Sequence, residues 1–220
     1  MNLLILIFTL KKVPLLSWSS SDPLNLKPKK ITLIYLVLGL ILFGLGETML
    51  INAKIGVSPW TVLAQGMSIK TGFSIGITTL IVSIGVLFFW IPLKEKPGFG
   101  TILNAIIVSV VLDVSLPFLP KPESFYFQIL QVVIGVFFVG IGSGFYLISN
   151  LGPGPRDGLM TGLQKKTNLP IALIRTMLEI TAVIGGWYLG GVVGIGTIVF
   201  ALGVGPFVSV GFFIVSRFFK

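Results

Sequence analysis

The chain of 220 residues contains no cysteine and no histidine. Disulfide bonds, thiolate or imidazole metal sites, and catalysis by cysteine or histidine are therefore excluded. Only 10% of the residues are charged, whereas about a quarter are charged in a soluble domain. The seven carboxylates form no close pair in sequence, which argues against a two-carboxylate hydrolase. We therefore expect no enzyme activity, no cofactor and no metal.

Apolar residues are abundant instead, at 54% of the chain, with a mean hydropathy of +1.02. This composition predicts an all-α polytopic membrane protein and is incompatible with a soluble or disordered chain. The net charge of +9 fits lysines and arginines that gather in cytoplasmic loops beside anionic lipid. Nucleic acid is therefore not an expected partner.

Six apolar stretches have the length that a helix needs to cross a bilayer. Two further apolar segments, residues 59–69 and 155–164, are too short, because eleven residues reach only about 16 Å. We predict six spans and two re-entrant half-helices, with both termini in the cytoplasm; loop charge alone also allows eight spans. The six stretches are residues 31–51, 73–93, 101–119, 125–149, 169–189 and 195–216.

Residues 1–30 differ from the rest of the chain. Residues 3–10 form an apolar run too short to span a bilayer, followed by Lys11 and Lys12. The run lacks the basic start and the cleavage site of a signal peptide. We interpret residues 1–30 as a cytoplasmic arm that lies on the membrane surface, or as the product of a misassigned start.

The chain contains an internal duplication. Residues 44–105 align without a gap to the residues 96 positions later, with 16 identities in 62 positions. Repeat 1 covers residues 31–119, and repeat 2 covers residues 125–216. Three crossings per repeat place the second repeat upside down in the membrane, which is the plan of many secondary transporters. Four crossings would make the repeats parallel.

The two short segments begin at Pro59 and Pro155, and proline is favoured at the first helical position. Free N–H groups at a helix start favour an anion, and Arg156 adds a bidentate donor for carboxylate or phosphate. The alternative is that the glycine-rich breaks serve only close helix packing. The candidate substrate-binding residues are Ser58, Pro59, Thr61, Gly154, Pro155, Arg156 and Asp157.

Polar residues inside the predicted spans form a second candidate set, because such residues are costly in lipid. Glu47 has no basic neighbour in its span and aligns with Ser143, so it is the best candidate for a proton- or cation-coupling carboxylate. Arg175 and Glu179 share a helix face and either neutralise each other or line a site. The remaining candidates are Asn104 and Asp113.

Two Gly-x-Gly-Thr motifs begin the third span of each repeat. No lysine of the phosphate-binding kind follows them, so close helix approach and threonine capping are the predicted roles. The residues assigned to such structural breaks are Gly56, Gly98, Gly100, Thr101, Gly152, Gly194, Gly196 and Thr197. The residues interpreted as interfacial anchors, with no role in a site, are Trp60, Trp90, Trp187 and Tyr188.

Several of these elements resemble the bacterial YczE/YyaS/YitT group of integral membrane proteins. They are Gly-Leu-Gly-Glu at 44–47, Ile-Gly-Val-Ser-Pro-Trp at 55–60, Leu-Gly-Pro-Gly-Pro-Arg-Asp-Gly-Leu-Met at 151–160 and the two Gly-x-Gly-Thr motifs. The resemblance covers residues 31–216 and implies a multi-span protein of the bacterial inner membrane. Some members of the group are linked to antibiotic production or classed as candidate drug exporters. Because most members are uncharacterised, the resemblance implies topology and location more than mechanism.

We therefore expect a small secondary transporter or exporter of a small anionic or amphipathic organic solute, bound between the two half-helices. The alternative is a non-transporting membrane scaffold or accessory protein of a biosynthetic or resistance complex. The expected partners are the lipid bilayer and an unidentified solute. A homodimer is compatible with the small size, although no motif specifies one.

The predicted topology can be tested at Lys96. Because the chain has no native cysteine, a Lys96→Cys variant carries a single reactive thiol. Six spans predict that a membrane-impermeant thiol reagent leaves intact cells unlabelled and reacts only after the membrane is opened. Labelling from outside would mean that residues 59–69 cross the bilayer, and the repeats would then be parallel.

Overall fold

The computed structural model describes residues 13–219, and those residues form nine α-helices and no strand. The predicted all-α class is therefore confirmed, whereas the apolar run at residues 3–10 lies outside the described residues. The helices are α1 Lys30–Ala53, α2 Pro59–Thr71, α3 Ile75–Phe88, α4 Trp90–Leu93, α5 Phe99–Ser115, α6 Phe125–Ile148, α7 Pro155–Thr167, α8 Ile171–Tyr188 and α9 Ile195–Phe218.

Five helical stretches of the described chain are long and apolar enough to cross a membrane. The sixth predicted span, residues 101–119, corresponds to α5, which has 17 residues and ends at Ser115. Pro117 follows closely, and the residue before a proline is disfavoured in a helix. The five stretches are Lys30–Ala53, Ile75–Leu93, Phe125–Ile148, Ile171–Tyr188 and Ile195–Phe218.

The short helices α2 and α7 have 13 residues each, slightly more than the predicted segments. Each begins with a proline in its first turn and ends at a left-handed residue, Gly72 after α2 and Asn168 after α7. Thirteen residues reach about 20 Å, which is well below the thickness of a bilayer core.

Left-handed backbone occurs at matching positions in the two halves of the chain, residues 30–119 and 125–219. Each residue with a positive φ in the first half has a counterpart 96 positions later. Gly56 (φ 115°) matches Gly152 (φ 102°), and Gly72 (φ 75°) matches Asn168 (φ 57°). The remaining pairs are Lys54 with Asn150 and Lys94 with Gly190. The same series of chain reversals therefore occurs twice.

The long helices α1 and α6 form the centre of the structure, where α5 flanks α1 and α9 flanks α6. α1 and α6 cross at glycines: a Cβ at Gly46 would lie 2.4 Å from the Gly135 carbonyl oxygen, and one at Gly39 would lie 2.7 Å from that of Gly142. Residue numbers decrease along α1 from Gly46 to Gly39 while they increase along α6 from Gly135 to Gly142, so the two helices are antiparallel. Such close approach is possible only without side chains at the crossing.

The remaining contacts exchange elements between the halves. α2 packs against α8 of the second half, and α7 packs against α3 and α4 of the first. The break after α1 is bound to the start of α9, where the Gly196 amide donates to the Ile55 carbonyl at 2.8 Å. The break after α6 is bound to the start of α5 in the same way, by the Gly100 amide and the Leu151 carbonyl at 2.6 Å.

Residues 13–29 bind one end of the helix bundle. Trp18 is only 4% exposed, and its ring lies 4.6 Å, centroid to centroid, from that of Tyr35 of α1 at a tilt of 52°. The Ser20 amide donates to the Ser149 carbonyl at 3.0 Å, and the Asn150 side chain donates to the Ser20 carbonyl at 2.8 Å. This part of the predicted arm thus covers the turn that follows α6.

The crossing of α1 and α6 generates a stability prediction. We expect Gly46→Ala to lower the Tm of the purified protein, because the new Cβ meets backbone and overpacking costs about 1–3 kcal/mol. Gly85→Ala in α3 is the matched control, since a Cβ there meets nothing within 4 Å and alanine favours the helix by about 0.5–1 kcal/mol. Equal Tm values for the two variants would contradict the crossing.

Candidate functional site

A cavity of about 310 Å³ lies where the starts of α2 and α7 face α6, α8 and α9. Apolar residues such as Phe43 and Phe200 contribute part of its wall. The polar side chains that line it are those of Asn104, Ser143, Tyr146, Arg156, Asp157, Arg175, Glu179 and Ser209. The mixture of a partly apolar wall and a few polar groups is typical of small-molecule sites.

The start of α7 supplies the central part of this wall. Gly154, Pro155, Arg156 and Asp157, which are four of the candidate substrate-binding residues, all line the cavity. Trp90 fixes this turn, because its indole N–H donates to the Pro155 carbonyl at 2.9 Å. This hydrogen bond to the backbone holds the next two residues, Arg156 and Asp157, in place.

Gly158 allows the close approach of Trp90. A Cβ at Gly158 would lie 1.9 Å from the Trp90 ring, so any side chain there would displace the indole. Trp90 is only 2% exposed. It therefore lies inside the protein, and its interpretation as an interfacial anchor was wrong. The isolated sequence offered no signal for this contact, since Trp90 and Pro155 lie 65 residues apart.

Arg156 has no ion pair and no side-chain hydrogen bond to any described residue. Its guanidinium carbon lies 5.7 Å from the centre of the Trp60 ring, within the range of a cation–π contact. The neighbouring Asp157 makes no ion pair with Arg156, and its carboxylate accepts the Tyr146 hydroxyl instead. The cavity thus contains a guanidinium that contacts an aromatic face and no carboxylate.

Arg175 and Glu179 form a second polar pair on the cavity wall. The Arg175 Nε atom donates to a Glu179 carboxylate oxygen at 2.8 Å, across one turn of α8. This pair is self-neutralising, as one of the two sequence interpretations proposed. Arg156 is therefore the better placed of the two arginines to bind an anion.

The start of α2 divides its residues between two environments. Pro59 and Trp60 line the cavity, whereas Ser58 and Thr61 are fully buried on the other side and bind Glu47. Both hydroxyl oxygens lie 2.8 Å from Glu47 Oε2. Ser58 and Thr61 thus do not lie on the wall that they were predicted to form. Glu47 itself is 1% exposed and lies outside the cavity lining.

Asp113 has a local partner at the start of α3. Its carboxylate accepts the Ser74 hydroxyl and, at 2.7 Å, the Gly76 amide, where the positive end of the helix dipole favours a negative charge. Asp113 is thus away from the cavity, whereas Asn104 faces Gly154 inside it.

The two Gly-x-Gly-Thr motifs lie at the exchanged contacts between the halves. The Gly98 and Gly194 amides each donate to the threonine hydroxyl of their own motif, Thr101 or Thr197. The Thr101 hydroxyl also donates to the Pro153 carbonyl at 2.7 Å, directly before α7. The glycine and threonine residues therefore position the short helices and do not line the cavity.

The sequence analysis did not propose the cavity residues Trp60, Ser143, Tyr146 and Ser209, and it missed Trp90, which supports the start of α7. One signal was available for Trp60, because it aligns with Arg156 in the duplication. No group of three or more acidic residues within the described range is arranged to hold a metal ion.

The chain is similar to several bacterial proteins that have no described function. It is 36% identical over 205 residues to an uncharacterized protein of Haemophilus influenzae (strain ATCC 51907 / DSM 11121 / KW20 / Rd), with 93% of each chain covered. It is 30% identical to the uncharacterized membrane protein YczE of Bacillus subtilis (strain 168), over 74% of this chain and 77% of YczE.

The uncharacterized protein YyaS of the same organism is 26% identical over 191 residues, which is 84% of this chain and 94% of YyaS. No solved structure matches the chain. The predicted resemblance to YczE and YyaS is thus confirmed, and residues 30–212 match the model of a family of unknown function, DUF6198. The chain is a membrane protein that belongs to the DUF6198 family.

Proposed function

We propose that the protein is a small secondary transporter or exporter in the bacterial cytoplasmic membrane, with both termini in the cytoplasm. It moves a small anionic or amphipathic organic solute through the cavity between α2 and α7. The observation that carries this proposal is Arg156, a guanidinium in the cavity without a carboxylate partner. A carboxylate or phosphate group of the solute compensates that charge through two parallel hydrogen bonds.

We further infer that residues 31–119 and 125–216 are inverted repeats and that α2 and α7 are re-entrant half-helices. The matching left-handed positions, the antiparallel crossing of α1 and α6 and the reciprocal bonds at Ile55 and Leu151 support this arrangement. Reciprocal contacts of this kind are characteristic of a two-fold relation. Trp60 and Arg156, at equivalent positions in the alignment, touch each other, so the pseudo-two-fold axis passes between them.

The amphipathic part of the proposal is supported by a second cavity. A space of about 1020 Å³ lies between α2, α3, α7 and α8, and its walls are mainly leucine, valine and other apolar residues. Trp60 lines both cavities. A solute whose anionic group binds Arg156 can therefore place an apolar part on the far side of the Trp60 ring.

The test is anion binding by purified protein with benzoate, salicylate, octanoate and inorganic phosphate as probes. We expect at least one probe to raise the Tm of the wild type, because ligand that binds the folded state stabilises it. Arg156→Ala loses a charge-assisted contact of about 1.5–3 kcal/mol, which corresponds to a roughly 10- to 100-fold weaker affinity. Arg156→Lys retains the charge without the bidentate geometry and should recover binding in part.

Arg217→Ala is the matched control, because Arg217 lies exposed in the last turn of α9 and outside the cavity. It should bind the probe like the wild type, and the probe that binds should also enter proteoliposomes that contain the wild-type protein. An Arg156→Ala variant with unchanged affinity would overturn the site. A wild type that neither binds nor transports any probe would overturn the transporter and favour the scaffold alternative.

A further inference from the structure

One oxygen atom of Glu47 forms a ring with the hydroxyl oxygens of Ser58 and Thr61. None of these three residues lines the cavity. Ser58 Oγ and Thr61 Oγ1 each lie 2.8 Å from Glu47 Oε2, and they lie 2.9 Å from each other. All three side chains are at most 1% exposed. The second carboxyl oxygen, Glu47 Oε1, is buried without any hydrogen-bond partner in the described chain.

The number of protons available to this ring determines the state of Glu47. Three oxygen contacts at hydrogen-bond distance need one proton each, and the two hydroxyl groups supply only two. A protonated Glu47 supplies the third, since its Oε2 then donates to one hydroxyl and accepts from the other. With an ionised Glu47 both hydroxyls donate to the carboxylate, and the Ser58 and Thr61 oxygens face each other with no proton between them.

The bare Oε1 atom favours the same state. In an ionised carboxylate this oxygen carries half of the negative charge, and a buried charge without partners costs much more than a buried neutral carbonyl. In a carboxylic acid protonated on Oε2, Oε1 is only a carbonyl oxygen. All observed contacts of the Glu47 carboxyl are to Oε2, the oxygen that carries the proton in this arrangement.

No cation forms an ion pair with Glu47 in the described chain. Lys54, which ends α1, is exposed, and Arg156 of α7 lies against Trp60. α6, which packs along α1, contains no Asp, Glu, Lys or Arg, and its titratable groups are Tyr126 at its start and Tyr146 on Asp157. α5 contributes only Asp113, which is bound at the start of α3. The one charged residue of α2 is Lys70 in its last turn, and that of α9 is Arg217 in its last turn.

We propose that Glu47, Ser58 and Thr61 form a proton-binding site, that the proton is bound in this conformation, and that the proton is the coupling ion of the transporter. The coupling part rests on the proposed function, whereas the bound proton does not. On release, the proton leaves the Glu47 carboxyl for water, and the ring retains a negative charge and only two protons. Ser58 and Thr61 must then reorient toward the carboxylate.

The start of α2 connects this proton to the solute. Ser58 and Thr61 flank Pro59 and Trp60, which line the cavity, and Trp60 lies against Arg156. A change of bonding at Glu47 therefore shifts the same helical turn that faces the anion. Because such coupling is reciprocal, anion binding at Arg156 changes the affinity of Glu47 for its proton by the same factor.

The bound proton is tested by infrared spectroscopy of the purified protein in neutral buffer. A protonated carboxyl group has a C=O band above the amide band, and the band shifts to lower frequency in D2O. We expect this band in the wild type, its loss in Glu47→Gln, and its retention in Glu123→Gln, a control in the exposed loop before α6. Thr61→Val removes one partner without changing the side-chain shape, so the band should remain and shift.

Absence of the band in the wild type, or its persistence in Glu47→Gln, would overturn the proton site even if Arg156 binds an anion. Sodium-dependent stabilisation of the wild type without a carboxyl band would assign the site to a metal cation and would equally overturn it. Coupling is tested separately in proteoliposomes with the probe that binds. We expect a pH gradient to drive its accumulation in the wild type and Glu123→Gln, and Glu47→Gln to bind the probe without responding to the gradient.

Discussion

The structure depends on satisfying the backbone where α1 and α6 end. Buried carbonyl and amide groups need partners, and the extended segments after these helices have none of their own. The Ile55 carbonyl accepts a hydrogen bond from the Gly196 amide, and the Leu151 carbonyl accepts one from the Gly100 amide. Each of these amides lies at the start of a helix in the opposite half. A Cβ at Gly196 would lie 2.3 Å from the Gly56 carbonyl oxygen, so only glycine permits this contact. Neither half can complete its own break, and the two halves therefore fold around each other.

This exchange brings the starts of α2 and α7 to one place, and there the matching positions have diverged. Trp60 aligns with Arg156, and Thr61 aligns with Asp157. In the first half a carboxyl on the long helix, Glu47, binds hydroxyls of the short helix; in the second half the carboxyl is on the short helix and binds Tyr146. A ring of buried oxygen atoms thus lies at the start of α2, and charged side chains lie at the start of α7. The proposed roles of Glu47 and Arg156 rest on this difference.

The sequence predicted those features that depend on local backbone preference. Proline has one allowed range of φ, which suits the first turn of a helix, and glycine also adopts positive φ. The helix starts at Pro59 and Pro155 could therefore be predicted from the prolines and the glycines before them. The direction in which an individual side chain points was harder to predict, because successive side chains on a helix are about 100° apart around its axis. Ser58 and Thr61 consequently face Glu47 although Pro59 and Trp60 face the cavity. Long-range contacts such as that between Trp90 and Pro155 depend on the exchange of elements, which local patterns do not encode.

The meeting of the two short helices is tested most directly by cross-linking in this cysteine-free chain. A Trp60→Cys/Arg156→Cys variant carries a protease site in the loop between α5 and α6 and is treated first with a short bismaleimide and then with the protease. Its two fragments should stay joined and migrate in a denaturing gel as one species with the mass of the whole chain. The equivalent pair Lys70→Cys/Lys166→Cys, in the last turns of the same helices, should fall into two fragments. Fragments from the first variant, or equal cross-linking of both pairs, would contradict the account.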